Sequence, residues 1–331
     1  MARVALALGS GGARGYAHIG VIHELEARGH EVVAIAGASM GALVGGMAAA
    51  GKLSEFTDWA VALTPRDVIR LVDPQWSSPG VVAAQRVFDE IRDFAGHHLI
   101  EQLPIPFTAV ATDLWARREV WFNSGPIDPA LRASIAIPGV FPPIALNGRL
   151  LVDGGVSNQV PVSVLASSVA DLTVAVTLDG HAAVAQRGEG LPVHTSSDEE
   201  DAAVWSDRLR TSMGKLMEAE PMRSIAARMA ARPLRQRGES GDHSVAELFE
   251  ELPTGLRTTD VATQSLEVLM AIVQRYQLAS FPTDALVVVP HDSLGTMDFH
   301  LAADQIELGR RLAAEAFDRA GMVSGLQDVN S

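Results

Sequence analysis

Along the first third of the chain, short apolar runs alternate with stretches in which apolar residues recur every three or four positions. Arg3–Leu8 reads as a strand, about Tyr16–Arg28 as a helix, Glu31–Ala36 as a second strand and Ala42–Ala50 as a second helix. This βαβα order predicts an α/β fold around a largely parallel sheet, because parallel neighbours need a crossover between them. Further strands are expected at Phe107–Thr112, Glu119–Asn123, Leu150–Val152, Leu172–Leu178 and Leu286–Val289, where β-branched and aromatic residues lie between turn residues. Asn147-Gly148, between two apolar runs, marks a hairpin turn.

From about His181 to Asp201 the periodicity gives way to Gly, Ser, Pro and acidic residues, the composition of a surface linker. The expected organisation is a core over 1–180, an acidic flexible linker over 181–205, and a helical C-terminal part over 206–331 with one strand returning to the core. Its helices fall at about Ser206–Ala231, Asp260–Leu278 and Ala302–Arg319. The first carries Leu209, Met213, Leu216, Met217, Met222 and Met229 near one face, with Pro221 interrupting it; such a face is either ordinary core or an adaptable lid toward lipid. Ile137–Ile144, rich in proline, is either a wall of an apolar pocket or a rigid connection.

Composition narrows the picture. With 47% of 331 residues hydrophobic, the chain can bury a large core, as one domain or two. It has no cysteine, which removes disulfides, thiolate metal sites and a cysteine nucleophile, and fits a cytoplasmic location. The N-terminal apolar run, broken at once by a glycine loop containing Arg14, is too short for a signal peptide. A net charge of −14 argues against nucleic acid and against general attraction to anionic lipid, so any membrane contact has to be local and peripheral. Val32–Gly51 is uncharged and long enough to span a membrane, but its glycines fall where a strand–turn–helix needs them. Nothing in the pattern sets an oligomeric state.

The candidate chemistry lies in three glycine-bearing motifs. Gly37-Ala38-Ser39-Met40-Gly41 follows a strand and opens a helix, the setting of a nucleophile elbow. Upstream, Gly9-Ser10-Gly11-Gly12-Ala13-Arg14-Gly15 joins the first strand to the first helix and can aim backbone N–H groups at an anion. A dinucleotide fingerprint fails, because Arg14 stands where the third glycine belongs, and a P-loop fails for want of Gly-Lys-Ser/Thr. For acyl transfer, the Gly11 and Gly12 amides would form an oxyanion hole. The base has two candidates: a late histidine, His291 or His300, in the usual Ser-His-Asp order, or Asp153 in Val152-Asp153-Gly154-Gly155. Against the histidines, the elbow follows only the second strand, too early for an ordinary α/β-hydrolase. Asp153-Gly154 also reads as a simple turn, and His18, inside the first helix, either faces the site or is a packed or capping residue.

Taken in order and at these separations, Gly11-Gly12-Ala13-Arg14-Gly15, Gly37-Ala38-Ser39-Met40-Gly41 and Asp153-Gly154-Gly155 resemble the patatin-like phospholipase family. The resemblance covers roughly residues 3–180. It implies a three-layer α/β/α fold and a lipid acyl hydrolase with a Ser–Asp dyad, Ser39 as nucleophile and Asp153 as base. It also implies the glycine loop as oxyanion hole, no metal or cofactor, and a lipid or other acyl ester as substrate. Arg14 carries over as a supporting residue, alongside Gly15, Gly37, Gly41, Gly154 and Gly155. The family's loop often begins with glycine where this chain has Ser10, a change that a backbone-mediated role tolerates. The resemblance leaves two rivals: an esterase using His291, and a weakly active scaffold of the same fold.

Overall fold

The computed structural model describes residues 1–72, 81–138, 140–180 and 258–322. In chain order the elements are β1 Arg3–Leu8, α1 Ala17–Ala27, β2 Glu31–Ala38, α2 Met40–Ala49, α3 Leu53–Ala62, α4 Pro65–Val72, α5 Val81–Ala95, β3 Phe107–Asp113, β4 Arg118–Phe122, α6 Ile127–Ser134, β5 Ile144–Leu146 and β6 Arg149–Asp153. They continue with β7 Leu172–Gly180, α7 Thr258–Ser280, β8 Ala285–Pro290 and α8 Ala302–Arg319. The chain divides into two compact units, Met1–Glu189 with Leu269–Ser331, and Gly190–Val268. Only Thr258–Val268 of the second unit is described, and every described strand belongs to the first. The expected linker over 181–205 and the methionine-bearing helix Ser206–Ala231 lie outside the described residues.

The strands form one mixed sheet in the order β5-β6-β3-β2-β1-β7-β8, with β4 added beside β3. The run β3-β2-β1-β7-β8 is parallel, and β4, β5 and β6 pair antiparallel to their neighbours. β1 is buried on both faces, as a central parallel strand must be, yet its faces differ. Val4, Leu6 and Leu8 meet residues of α1, α2 and α8, whereas Ala5 and Ala7 leave room for Val160, Val162 and Leu165 to approach closely. Elements therefore cover both faces of the sheet, as a three-layer α/β/α fold requires.

Asn147 and Gly148 both have positive φ and close the β5–β6 hairpin. The structure extends β2 to Ala38 and begins α2 at Met40, so strand and helix are separated by Ser39 alone. The helices α3–α6 and the strand β5 are additions to the elements read from the sequence. β5 begins at Ile144, where the proline-bearing segment ends. No described helix is long and apolar enough to cross a membrane.

Candidate active site

The sheet itself brings the two candidate catalytic residues together. β3 uses Phe107–Val110 to pair with β2 and Ala111–Asp113 to pair with β6, while β4 pairs along Ala109–Asp113. A strand has only two edges, so β2 and β6 share one edge of β3 end to end. β2 runs parallel to β3 and β6 antiparallel, so their C-terminal ends meet. Ala38 lies opposite Val110, and Asp153 lies opposite Ala111. The next residue after Ala38 is Ser39.

Ser39 sits at the mouth of α2 with φ 55° and ψ −125°, one of three non-glycine residues with positive φ among those described. Such backbone strain persists only where the surroundings enforce it. Here the turn is held from both sides. Leu43 N–H donates to the Ser39 carbonyl at 3.1 Å, and Ser39 N–H donates to Ser134 Oγ at 3.0 Å. The Ser134 hydroxyl in turn donates to the Val110 carbonyl at 2.6 Å. Gly37 and Gly41 are needed for closeness: a Cβ at Gly37 would strike the backbone of Gly41, and one at Gly41 would strike the Leu8 carbonyl.

Asp153 is 4% exposed. Its backbone is fixed by Asp153 N–H donating to Ala136 O at 3.0 Å and Thr112 Oγ1 donating to Asp153 O at 2.9 Å. One carboxylate oxygen, Oδ1, accepts from Gly155 N–H at 2.7 Å, and the other, Oδ2, is buried without a hydrogen-bond partner. Burial pushes the carboxyl up to about 7; the neighbouring Ser39 hydroxyl and the Gly155 amide oppose the rise without cancelling it. The serine is thus close enough to act on the carboxyl while Oδ2 has no settled partner. A Cβ at Gly154 would strike the Val110 carbonyl and one at Gly155 would lie 2.5 Å from Ser10 Oγ, so the paired glycines let the strand end and the Ser10 loop come together.

The glycine loop is pinned at both ends and open in its middle. Gly9 N–H donates to Val176 O, Ser10 N–H to Gln159 O and Ala13 N–H to Thr296 O, at 3.0, 2.8 and 2.9 Å. The amides of Gly11 and Gly12 have no acceptor among the described residues. His18 supports the loop from α1: it is fully buried, and its Nε2 lies 2.8 Å from the Gly9 carbonyl. Burial lowers the imidazole to about 4, against the raising effect of that bond, so the ring is neutral and Nε2–H is the donor.

Arg14 is buried. Its Nη1 donates to the His291 carbonyl at 2.9 Å and its Nε to the Gly11 carbonyl at 3.3 Å. It supports the site by tying the loop to the segment after β8. Gly15 is packed under the elbow, where a Cβ would collide with the Met40 side chain. The His291 side chain is exposed, just past the end of β8, a strand three places from β2 in the sheet, or roughly 14 Å at ordinary strand spacing. His300 is half-buried in a turn before α8. Among the described residues no cluster of His, Asp and Glu could hold a metal ion.

Gly12 and Ser39 both line an apolar cavity of about 90 Å³, walled by Phe56, Phe94, Ile137 and Phe141 among others. The segment after Ile137 thus contributes to the wall. A larger open concavity of about 670 Å³ holds none of the elbow or loop residues and lies along β4. Sequence reasoning missed Ser134, a lone serine in an otherwise ordinary helix, and the supporting role of His18.

Residues 6–166 match the family model described as patatin-like phospholipase. An NTE family protein of Mycobacterium tuberculosis is 42% identical over 337 aligned positions, covering 96% of this chain and 91% of the relative. The lysophospholipase NTE1 of Mycosarcoma maydis is 34% identical over 178 positions, covering 49% of this chain and 9% of that protein. Among solved structures, VipD from Legionella pneumophila aligns over 96% of this chain and 67% of its own, with 13% identity and a TM-score of 0.42.

Proposed function

The chain belongs to the patatin-like phospholipase family, and from that premise we propose that it is a serine lipid acyl hydrolase in which Ser39 and Asp153 form the catalytic dyad. The observation that carries the reading is the end-to-end meeting of β2 and β6 on one edge of β3, with an unpartnered carboxylate oxygen beside a strained serine.

In the proposed reaction, Asp153 Oδ2 takes the proton of Ser39 Oγ as Oγ attacks the ester carbonyl carbon. The carbonyl oxygen gains negative charge and rests on the Gly11 and Gly12 amides, which hold no other acceptor and need not reorganise. The tetrahedral intermediate collapses, the leaving alcohol takes the proton from Asp153, and an acyl group remains on Ser39. Water then attacks the acyl-enzyme, giving its proton to Asp153, and the released Ser39 Oγ recovers that proton. A carboxyl near 7 suits this shuttle better than one at the ordinary carboxylate value, because it accepts and returns protons near neutral pH.

The cavity fits an acyl chain in chemistry rather than in size. It is apolar and reaches Ser39, but its volume is below the roughly 300–1,000 Å³ of ordinary ligand pockets, so a long chain would have to part its walls. The test is turnover of a soluble medium-chain aryl ester. Ser39→Ala and Asp153→Asn should each lower kcat by roughly 10³-fold or more. An Asp153→Asn variant as fast as the parent would exclude the dyad, and loss of activity in His291→Ala with Asp153 dispensable would favour the histidine mechanism.

A further inference from the structure

β3 does not stop at the dyad. It continues from Val110 to Asp113 and turns through Leu114–Arg117 into β4, so the hairpin tip stands roughly 10 Å beyond the level of Ser39 along the strand direction. The tip is firmly built: Asp113, itself buried, accepts from Trp115 N–H and Ala116 N–H at 3.0 and 3.1 Å, and Leu114 N–H donates to Leu150 O at 2.9 Å. Yet it presents apolar side chains to solvent, with Leu114 at 42%, Trp115 at 70% and, farther along β4, Trp121 at 48% exposure.

Beside these lie Arg117, Arg118 and Arg149, all exposed and lining the large open concavity. Their side chains form no ion pair or hydrogen bond among the described residues. Among the described residues the one carboxylate lining the same concavity is Glu119, and its Oε2 already accepts from Trp121 Nε1 at 2.8 Å and Asn158 Nδ2 at 3.1 Å. In a chain of net charge −14, three arginines facing one engaged carboxylate form a local positive patch against the general charge.

We propose that the β3–β4 hairpin tip, with Arg117, Arg118 and Arg149 beside it, docks on the surface of an anionic lipid membrane. Tryptophan settles at the headgroup level, and guanidinium groups pair with lipid phosphates in a fork that ammonium groups cannot reproduce. Leu114 and Trp115 enter the interface, and the arginines bind headgroups around them. Because the chain as a whole is acidic and repelled, the patch also sets orientation, with the C-terminal end of β3, which lies beyond the dyad, facing the membrane. The purpose of this surface rests on the lipid-hydrolase reading, but its geometry does not.

The experiment is sedimentation with vesicles of phosphatidylglycerol and phosphatidylcholine, or of phosphatidylcholine alone, using Ser39→Ala so that turnover plays no part. Binding is expected only to the anionic vesicles, weakening as salt is raised. The variant carrying Arg117→Asn, Arg118→Gln and Arg149→Gln should bind on the order of 100-fold more weakly, about fivefold for each arginine. Asn suits position 117, whose φ is 54°. Trp115→Ala should weaken binding about tenfold through a separate contact, with an unchanged melting temperature as the check on folding. Failure of the full-length protein to bind anionic vesicles, or equal binding by the triple variant, overturns the proposal. Binding of inorganic phosphate at the arginines without vesicle binding also overturns it, in favour of a soluble anion. A parent enzyme active on soluble ester but indifferent to vesicles refutes this surface alone; vesicle binding without ester turnover refutes the dyad alone.

Discussion

In the seam between α1 and α8, the nitrogens of Arg28 are all engaged: Nε with Glu24 at 2.8 Å, Nη1 with Met322 O at 2.8 Å and Asp318 at 2.7 Å, and Nη2 with Ala314 O at 3.1 Å. At the meeting of β2 and β6, by contrast, Asp153 Oδ2 and the Gly11 and Gly12 amides have no hydrogen-bond partner among the described residues. Both regions use glycine to bring backbones into contact. Gly20 and Gly309 do so between the helices, and Gly37, Gly41 and Gly154 do so beneath the elbow. The same packing device therefore serves two ends. In the seam the Arg28 nitrogens are satisfied and contribute stability, while the elbow region keeps a few polar groups unsatisfied, at a stability cost that the proposed chemistry requires.

The largest expected contrast is at Asp153. Its folded value of about 7 exceeds the ordinary unfolded value near 3.9, so the native state holds a proton that the unfolded chain has released between those pH values. The associated stability is fully present below about pH 4 and is lost as pH rises through about 7. Asp153→Asn removes that loss: in denaturant unfolding it should be more stable than the parent at pH 8, by up to about 4 kcal/mol, with the difference gone at pH 4. A parent whose stability relative to the variant does not change with pH would break the contrast.

Gly309→Val acts on the other side. Its side chain would be forced into the Ala17 backbone, and denaturant unfolding should show a loss of about 3 kcal/mol, while the rate per folded molecule on a soluble ester stays at the parent value. Ser134→Ala sharpens the comparison from within the site. Removing the hydroxyl that bridges Ser39 N–H and Val110 O should cost about 1–2 kcal/mol in unfolding and lower kcat about tenfold, because the elbow loses one of its restraints.

Much of this contrast can be read from the sequence, though unevenly. The alternation of Val4-Ala5-Leu6-Ala7-Leu8, the glycines around Ser39 and the Asn147-Gly148 turn are local signals, and local signals survive into the fold. The sharing of β3 by β2 and β6 is a long-range pairing with no local mark, so only the family resemblance linked Asp153 to Ser39 in the sequence. Arg14 is legible as a supporting residue of the loop, but its partner is not: the Nη1 bond to the His291 carbonyl depends on a segment 277 residues away. His18 carries no sign that its imidazole would hold Gly9. The helices α3–α6 and the strand β5 are not legible locally: α3, α4 and β5 are short, α5 is mixed in polarity, and α6 carries Pro129 in its first turn.

The central claim is that Asp153, raised by burial, is the group that activates Ser39. Its most direct test is the rate of covalent labelling by a fluorophosphonate probe as a function of pH, in the parent and in Asp153→Asn. The account predicts labelling at Ser39 whose rate climbs about tenfold per pH unit below about 7 and levels off above it, with labelling all but lost in Asp153→Asn. A rate independent of pH across that range, or an Asp153→Asn variant that labels as fast as the parent, would contradict it.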